Sequence, residues 1–155
     1  MWSDMFAGST SPLPPDVRPD ELLSTFVFRP DHVVKKTQSI HHSRLMPRRQ
    51  GKQPGGRLET SVCRARGLTE AQVWSICSNF FDKHAPKPAI GRGVGPAEAV
   101  FAVGLAFNAD GMPYPEHANI IGWHDMANSS DSELKHFWMD QAQRMAPRFT
   151  YVPRR

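Results

Sequence analysis

Leu58-Glu59-Thr60-Ser61-Val62-Cys63-Arg64-Ala65-Arg66-Gly67-Leu68-Thr69-Glu70-Ala71-Gln72-Val73-Trp74-Ser75-Ile76-Cys77-Ser78-Asn79-Phe80-Phe81 carries both structural periods of this chain in one stretch. Leu58, Thr60 and Val62 alternate with polar neighbours, as a strand with one face in a core requires. Thr69 then stands three residues before Gln72, the spacing of a capping box, with Leu68 and Val73 at the positions of a hydrophobic staple. Val73, Trp74, Cys77, Phe80, Phe81 and His84 recur at helical spacing until Ala85-Pro86 stops the run, which predicts a helix over about residues 70–83. A strand that feeds a helix, in a chain whose other strand signals are far apart, predicts an α+β fold rather than a regular βαβ series.

Before this stretch, Thr25 to Phe28 reads as a strand closed by the turn Arg29-Pro30-Asp31. Residues 1–19, with Pro12, Pro14, Pro15 and Pro19, read as a flexible or extended lead-in, because proline fixes φ and lacks an amide donor. After it, Gly91-Arg92-Gly93-Val94-Gly95-Pro96 reads as a flexible turn, with a short helix starting at Pro96-Ala97-Glu98-Ala99. Val100 to Phe107 reads as a strand with Phe101, Val103, Leu105 and Phe107 on one face and small residues on the other. Ala118 to Trp123 is a further strand. Ser130 and Glu133 repeat the capping-box spacing, and Leu134, Phe137, Trp138, Ala142 and Met145 share a stripe that Pro147 ends. Phe149 to Val152 adds a last strand. The expected architecture is a small irregular mixed sheet of four to five strands with two main helices, residues 20–155 forming one α+β domain.

The chain's 155 residues suit one domain and bury a core without disulfide staples. No apolar run approaches the roughly 20 residues of a membrane helix, so no membrane partner is expected. The N-terminus lacks the basic-then-apolar order of a signal peptide. Cys63 and Cys77 fit neither a disulfide scaffold nor a zinc pattern, which points to a reducing cytoplasm. Cys77 lies on the helix's apolar stripe, whereas Cys63 lies on the strand face opposite Val62, toward solvent.

The net charge of +4 is unevenly placed: residues 1–31 carry −3, residues 32–66 carry +8 and residues 67–155 carry −1. Residues 35–57 combine this charge with Pro47, Gly51, Pro54, Gly55 and Gly56, the composition of a long functional or disordered loop. Lys35, Lys36, Arg44, Arg48, Arg49, Lys52 and Arg57, flanked by Arg64 and Arg66, therefore form a candidate surface for nucleic acid, RNA or DNA, or for an acidic protein. No Phe, Tyr or Trp lies between residues 29 and 73, so contact with phosphates is expected rather than stacking on bases.

Histidine supplies the competing reading. His42 and His117, helped by Arg44, are candidates for ribonuclease-like acid–base catalysis through the 2′-hydroxyl. A metal held by His117, His124 and Asp125 lacks proper ligand spacing, and no metal or cofactor is expected. Gly91-Arg92-Gly93-Val94-Gly95 lacks the Gly-Lys-Ser/Thr end of a P-loop and the third glycine of a dinucleotide fingerprint, so it reads as a connector. A third reading is a protein-interaction module using the Pro-rich lead-in or the aromatic helices.

Three pieces in order resemble a group of small uncharacterised bacterial proteins found among accessory genes. They are Phe26-Val27-Phe28 with His32; Glu59 to Arg64 running into Leu68-Thr69-Glu70 and Trp74; and His117-Ala118-Asn119-Ile120-Ile121-Gly122-Trp123. The resemblance covers about residues 22–152 and implies a bacterial or mobile-element accessory protein, with no activity to carry over. His117-x-Asn119 is also similar to the His-Pro-Asn tripeptide of ubiquitin-conjugating enzymes, but no cysteine follows Cys77 and that activity is rejected. Within the turn, His117 and Asn119 are equally suited to ordering a strand end through their side chains. The expected function is a non-enzymatic polyanion-binding protein.

Overall fold

The computed structural model describes residues 13–52 and 56–155. Its strands are β1 (Leu22–Val27), β2 (Val33–Val34), β3 (Ser39–Ile40), β4 (Arg48–Arg49), β5 (Leu58–Arg64), β6 (Gly91–Pro96), β7 (Ala106–Asn108), β8 (His117–Ile121) and β9 (Thr150–Pro153). Its helices are α1 (Glu70–Phe80), α2 (Glu98–Phe101) and α3 (Asp131–Met145). Among the described residues the strands form one nine-stranded sheet in the order β2-β3-β9-β6-β1-β5-β8-β7, with β4 paired to the free end of β5. Every pairing is antiparallel. The fold is thus α+β with two main helices, but the sheet is larger than four to five strands and is not mixed.

Both long helices begin as their sequences dictate. The Thr69 hydroxyl accepts from the Gln72 N–H, and the Gln72 side chain accepts from the Thr69 N–H; Ser130 and Glu133 repeat the arrangement at α3. Each helix covers one face of the sheet. Leu134, Trp138, Ala142 and Met145 of α3 pack with Leu23, Val27, Val62, Ala118, Ile120 and Phe149. Val73, Ile76 and Cys77 of α1 pack on the other face with Phe26, Cys63 and Tyr114. This second layer corrects the expectation for Cys63: its face is opposite Val62, but α1 covers it, and it is 1% exposed. Burial pushes both thiols up, Cys77 to about 12, so neither is an available thiolate. Native protein should therefore react with a disulfide reagent only as fast as it unfolds, with both thiols reacting at once in denaturant.

Two segments depart from the sequence expectation. Gly91 to Pro96 is not a turn but β6, which pairs with β1 along its whole length and with β9 on its other side. Val100 to Phe107 is not one strand. It begins in α2, turns at Gly104 (φ 82°), and only Ala106–Asn108 joins the sheet. Its alternating aromatics still meet, since the rings of Phe101 and Phe107 lie edge to face at 5.3 Å across the turn.

The basic segment is more ordered than its composition suggests. It contains β3, β4 and a 3-10 turn at His42–Leu45 whose Leu45 is fully buried. Residues 1–12 of the lead-in and 53–55 of the basic segment lie outside the described residues. Within residues 13–19, Val17 joins the core and the Pro14 carbonyl accepts from Arg64. Among the described residues, no helix is long and apolar enough to cross a membrane.

Candidate functional site

The sheet has a parting at its centre. β1 pairs with β5 only at Leu23–Arg64 and Ser24–Cys63, then leaves to follow β6. β4 pairs with β5 only at Glu59 and Leu58. Between these two short ladders the edge of β5 at Ser61 faces neither strand. Strand alternation fixes which way its backbone points. Arg64 donates its N–H to Glu116 on the β8 side, so Ser61, three residues away, directs its own N–H to the opposite side, toward the parting.

A cleft of about 580 Å³ fills this parting. Its floor is Ser24, Phe26, Ser61 and Cys63; one wall is Phe80, Phe81 and His84 at and beyond the end of α1, and the other is His32, Arg44 and Arg48. Four residues that line it, Thr25, His32, Arg44 and Glu59, each carry a buried polar atom without a hydrogen-bond partner among the described residues: Oγ1, Nδ1, Nε and Oε2 respectively. Native interiors leave few such groups unpaired, so their occurrence on four residues around one cavity sets this region apart. The Arg44 guanidinium lies 5.6 Å from the centre of the Phe28 ring. Burial, and then the like charge of Arg48, bring its pKa down to about 10. Burial likewise lowers His32, with the Arg44 charge as the second cause.

Ser61 connects the cleft to a hydrogen-bonded chain behind it. His117 on β8 lies diagonal to Ser61, and its Nε2 is 2.7 Å from Ser61 Oγ. Its Nδ1 is 2.7 Å from Asp110 Oδ1. With Asp110 ionised, Nδ1 carries the proton and donates to it, and in the neutral imidazole Nε2 is then left to accept from the Ser61 hydroxyl. Asp110 is itself held: Oδ2 accepts from Asn119 Nδ2 at 3.2 Å, and Oδ1 from the Met112 N–H at 3.2 Å. His117 and Asn119 thus order the β7–β8 connection, as their side chains suggested. The Tyr114 ring stands edge-on to the imidazole at 5.4 Å.

The basic candidates are scattered rather than gathered. Lys35 and Lys36 are exposed on the β2–β3 turn, Arg57 precedes β5, and Arg66 lies between β5 and α1. Arg48 is exposed at the cleft mouth. Arg49 is engaged internally, bonding Asp125 through both terminal nitrogens and Asp131 at the start of α3 through Nε. Arg64 is not a surface residue at all. Its side chain is 2% exposed and makes a two-pronged ion pair with Glu21, so it is withdrawn from any phosphate. The Lys52 side chain lies outside the described residues.

His42 and His117 do not form a pair. The His42 ring stacks on His41 at 4.1 Å and is not part of the cleft wall. Of the ribonuclease candidates, only Arg44 and, through Ser61, His117 reach the same cavity. His117, His124 and Asp125 have separate contacts, in Asp110, Phe137 and Arg49, and no metal-holding cluster occurs among the described residues. Sequence reasoning missed Ser61, Asp110 and Glu59 as site residues. Ser61 and His117 are 56 positions apart, and only the β5–β8 register brings them together. No protein-family model, no curated protein and no solved structure matches this chain.

Proposed function

We propose that the protein binds the anionic group of a polar ligand in the central cleft, with Arg44 as the inner cation and Arg48 at the mouth. His32, Arg44 and Glu59, each lining the cleft and each with a buried atom lacking a partner among the described residues, support this reading. An arginine takes an acceptor and a carboxylate a donor, so a ligand beside Arg44 and Glu59 combines an anionic group with a hydroxyl or amine. A nucleotide has both. This proposal narrows the polyanion reading of the basic segment, and a cytoplasmic setting and a bacterial or mobile-element accessory role are proposed with it. Nucleic acid would engage Arg48 and Arg44 through one or two phosphates rather than thread along the whole segment.

Fluorescence anisotropy with short labelled RNA and DNA oligonucleotides, competed by adenosine monophosphate, tests the proposal. Arg44→Met should weaken binding about 10–100-fold, the range of one lost charged hydrogen bond. Arg48→Glu should weaken it and flatten its salt dependence. Lys35→Gln with Lys36→Gln should change little. Absence of binding by all three probes, or equal binding by Arg44→Met, overturns the proposal. A loss caused by the lysine pair instead would return the function to the whole basic segment.

A further inference from the structure

We propose that the cleft is also an active site, in which Ser61 is the nucleophile for hydrolysis of carboxylic esters bearing an anionic group. His117 is the general base and acid, and Asp110 is the residue that positions it. The anionic preference rests on the Arg44 reading above; the chemistry at Ser61 does not.

Geometry carries the inference. A serine hydroxyl is a weak nucleophile unless a base sits within hydrogen-bond reach and is itself oriented by a third group. Both links here measure 2.7 Å, and the second fixes the tautomer that leaves Nε2 free to take a proton. A merely structural role accounts for Asp110, His117 and Asn119, which tie down the β7–β8 connection. It does not account for the serine. Ser61 is the exposed residue of an otherwise buried strand, and it lines the cleft with its hydroxyl bonded to the imidazole.

The same parting supplies a site for the developing negative charge. The continuation of the β1 ladder would set Phe26 opposite Ser61, and that of the β4 ladder would set Met46 there. Neither pair forms, and Phe26 and Met46 line the cleft instead. The Ser61 N–H therefore points into the cavity beside its own hydroxyl, the placement an oxyanion donor needs.

The step balances with water as the co-reactant. Ser61 Oγ attacks the ester carbonyl carbon while its proton passes to His117 Nε2, and the carbonyl π electrons move onto oxygen. Collapse of the tetrahedral intermediate breaks the bond to the alcohol oxygen, which takes the proton from Nε2 and leaves. Water then gives a proton to Nε2 and adds to the acyl carbon. The second collapse expels Ser61 Oγ, which recovers that proton, and releases the carboxylic acid. Arg44 on the facing wall favours esters whose acyl part carries a second carboxylate or a phosphate.

The test pairs two esters, p-nitrophenyl acetate and mono-p-nitrophenyl succinate, with a fluorophosphonate probe read by intact mass. The expected result is turnover of both, a kcat/KM at least tenfold higher for the succinate, and one adduct at Ser61. Ser61→Ala should remove the adduct and lower kcat by about 10³-fold or more. His117→Gln should do the same. Asp110→Asn should lower kcat with KM unchanged, a split that a general loss of structure would not give; thermal melting reports on the fold of each variant. If wild-type protein shows neither adduct nor turnover above Ser61→Ala, while oligonucleotide or nucleotide binding persists, the catalytic inference is overturned and the binding site stands. If Ser61 is labelled but the two esters are hydrolysed equally and Arg44→Met changes neither, the anionic-ester assignment is overturned together with the role given to Arg44.

Discussion

Arg64→Ala is expected to lower the free energy of unfolding by about 3–5 kcal/mol, the largest loss from any single substitution considered for this protein. The Glu21 and Arg64 side chains are each 2% exposed, and they meet through two bonds of 2.9 and 3.0 Å. Glu21 Oε2 also accepts from the Arg18 N–H at 2.7 Å, and Arg64 Nη1 donates to the Pro14 carbonyl at 2.8 Å. Removing the guanidinium leaves a carboxylate inside the protein with one backbone donor, and it also releases the segment around Pro14. The cost comes from that stranded charge rather than from any large net worth of the pair. The double replacement Glu21→Leu with Arg64→Met should accordingly recover most of the loss. Urea unfolding of the two single variants and the double variant checks this. A single-variant loss under about 1 kcal/mol would show that the pair is solvated in the native protein.

The glycines of β6 give the second large effect, graded along one strand. Gly91, Gly93 and Gly95 turn the same edge of their backbone toward Tyr151, Ile40 and Phe149. A Cβ at Gly95 would lie 2.8 Å from the Phe149 ring and 2.9 Å from the Arg148 carbonyl oxygen. Phe149 is fully buried and that carbonyl is backbone, so neither can yield. At Gly93 the clash is with Ile40 Cγ2 at 2.5 Å, a buried side chain with some rotamer freedom. At Gly91 it is with the half-buried Tyr151 ring, which can swing outward by giving up its bond to the Ile90 carbonyl. Alanine should therefore cost most at Gly95, about 3 kcal/mol, less at Gly93 and least at Gly91, within the range of overpacked cores. Combining Gly93→Ala with Ile40→Ala, which removes the clashing Cγ2, should cost less than the sum of the two single changes, and the coupling from the double-mutant cycle identifies the contact. Equal costs at the three positions would mean that backbone entropy, not close approach, sets the requirement.

These glycines also show where sequence reading reaches its limit. The helices at Glu70–Phe80 and Asp131–Met145 are legible because a capping box and an apolar stripe are local features, carried within a dozen or so residues. Gly91 to Pro96 offers only Arg92, Val94 and Pro96 as side chains, too few to mark a buried face. Its identity as a strand comes from β1 and β9 on either side, and its glycines are explained only by Ile40 and Phe149. Val100 to Phe107 misleads for the opposite reason: apolar residues alternate there, yet a left-handed Gly104 breaks the run and folds Phe101 back onto Phe107. The alternation in β5 was legible, but not the helix that covers the face of Cys63.

The candidate site divides in the same way. Residue type drew attention to Arg44 and His117, since an arginine in a basic segment and a histidine near a turn are conspicuous. Ser61 and Asp110 are unremarkable in sequence and acquire a role only through strand register. Arg49 and Arg64 illustrate the converse error. Charge counting treats every arginine alike, whereas Asp125, Asp131 and Glu21 had already claimed these two.

The parting between β1 and β5 has a bearing on how a ligand would be received. Each strand bordering the opening is anchored elsewhere, β1 along β6 and β5 along β8, so the gap is held apart by pairings that lie outside it. A flexible lid must be ordered at the moment of binding, at a cost in conformational entropy. Here the receptor geometry is made once, during folding, and association should be rapid, with little rearrangement of the protein and with affinity governed by how well the guest completes Arg44 and Glu59.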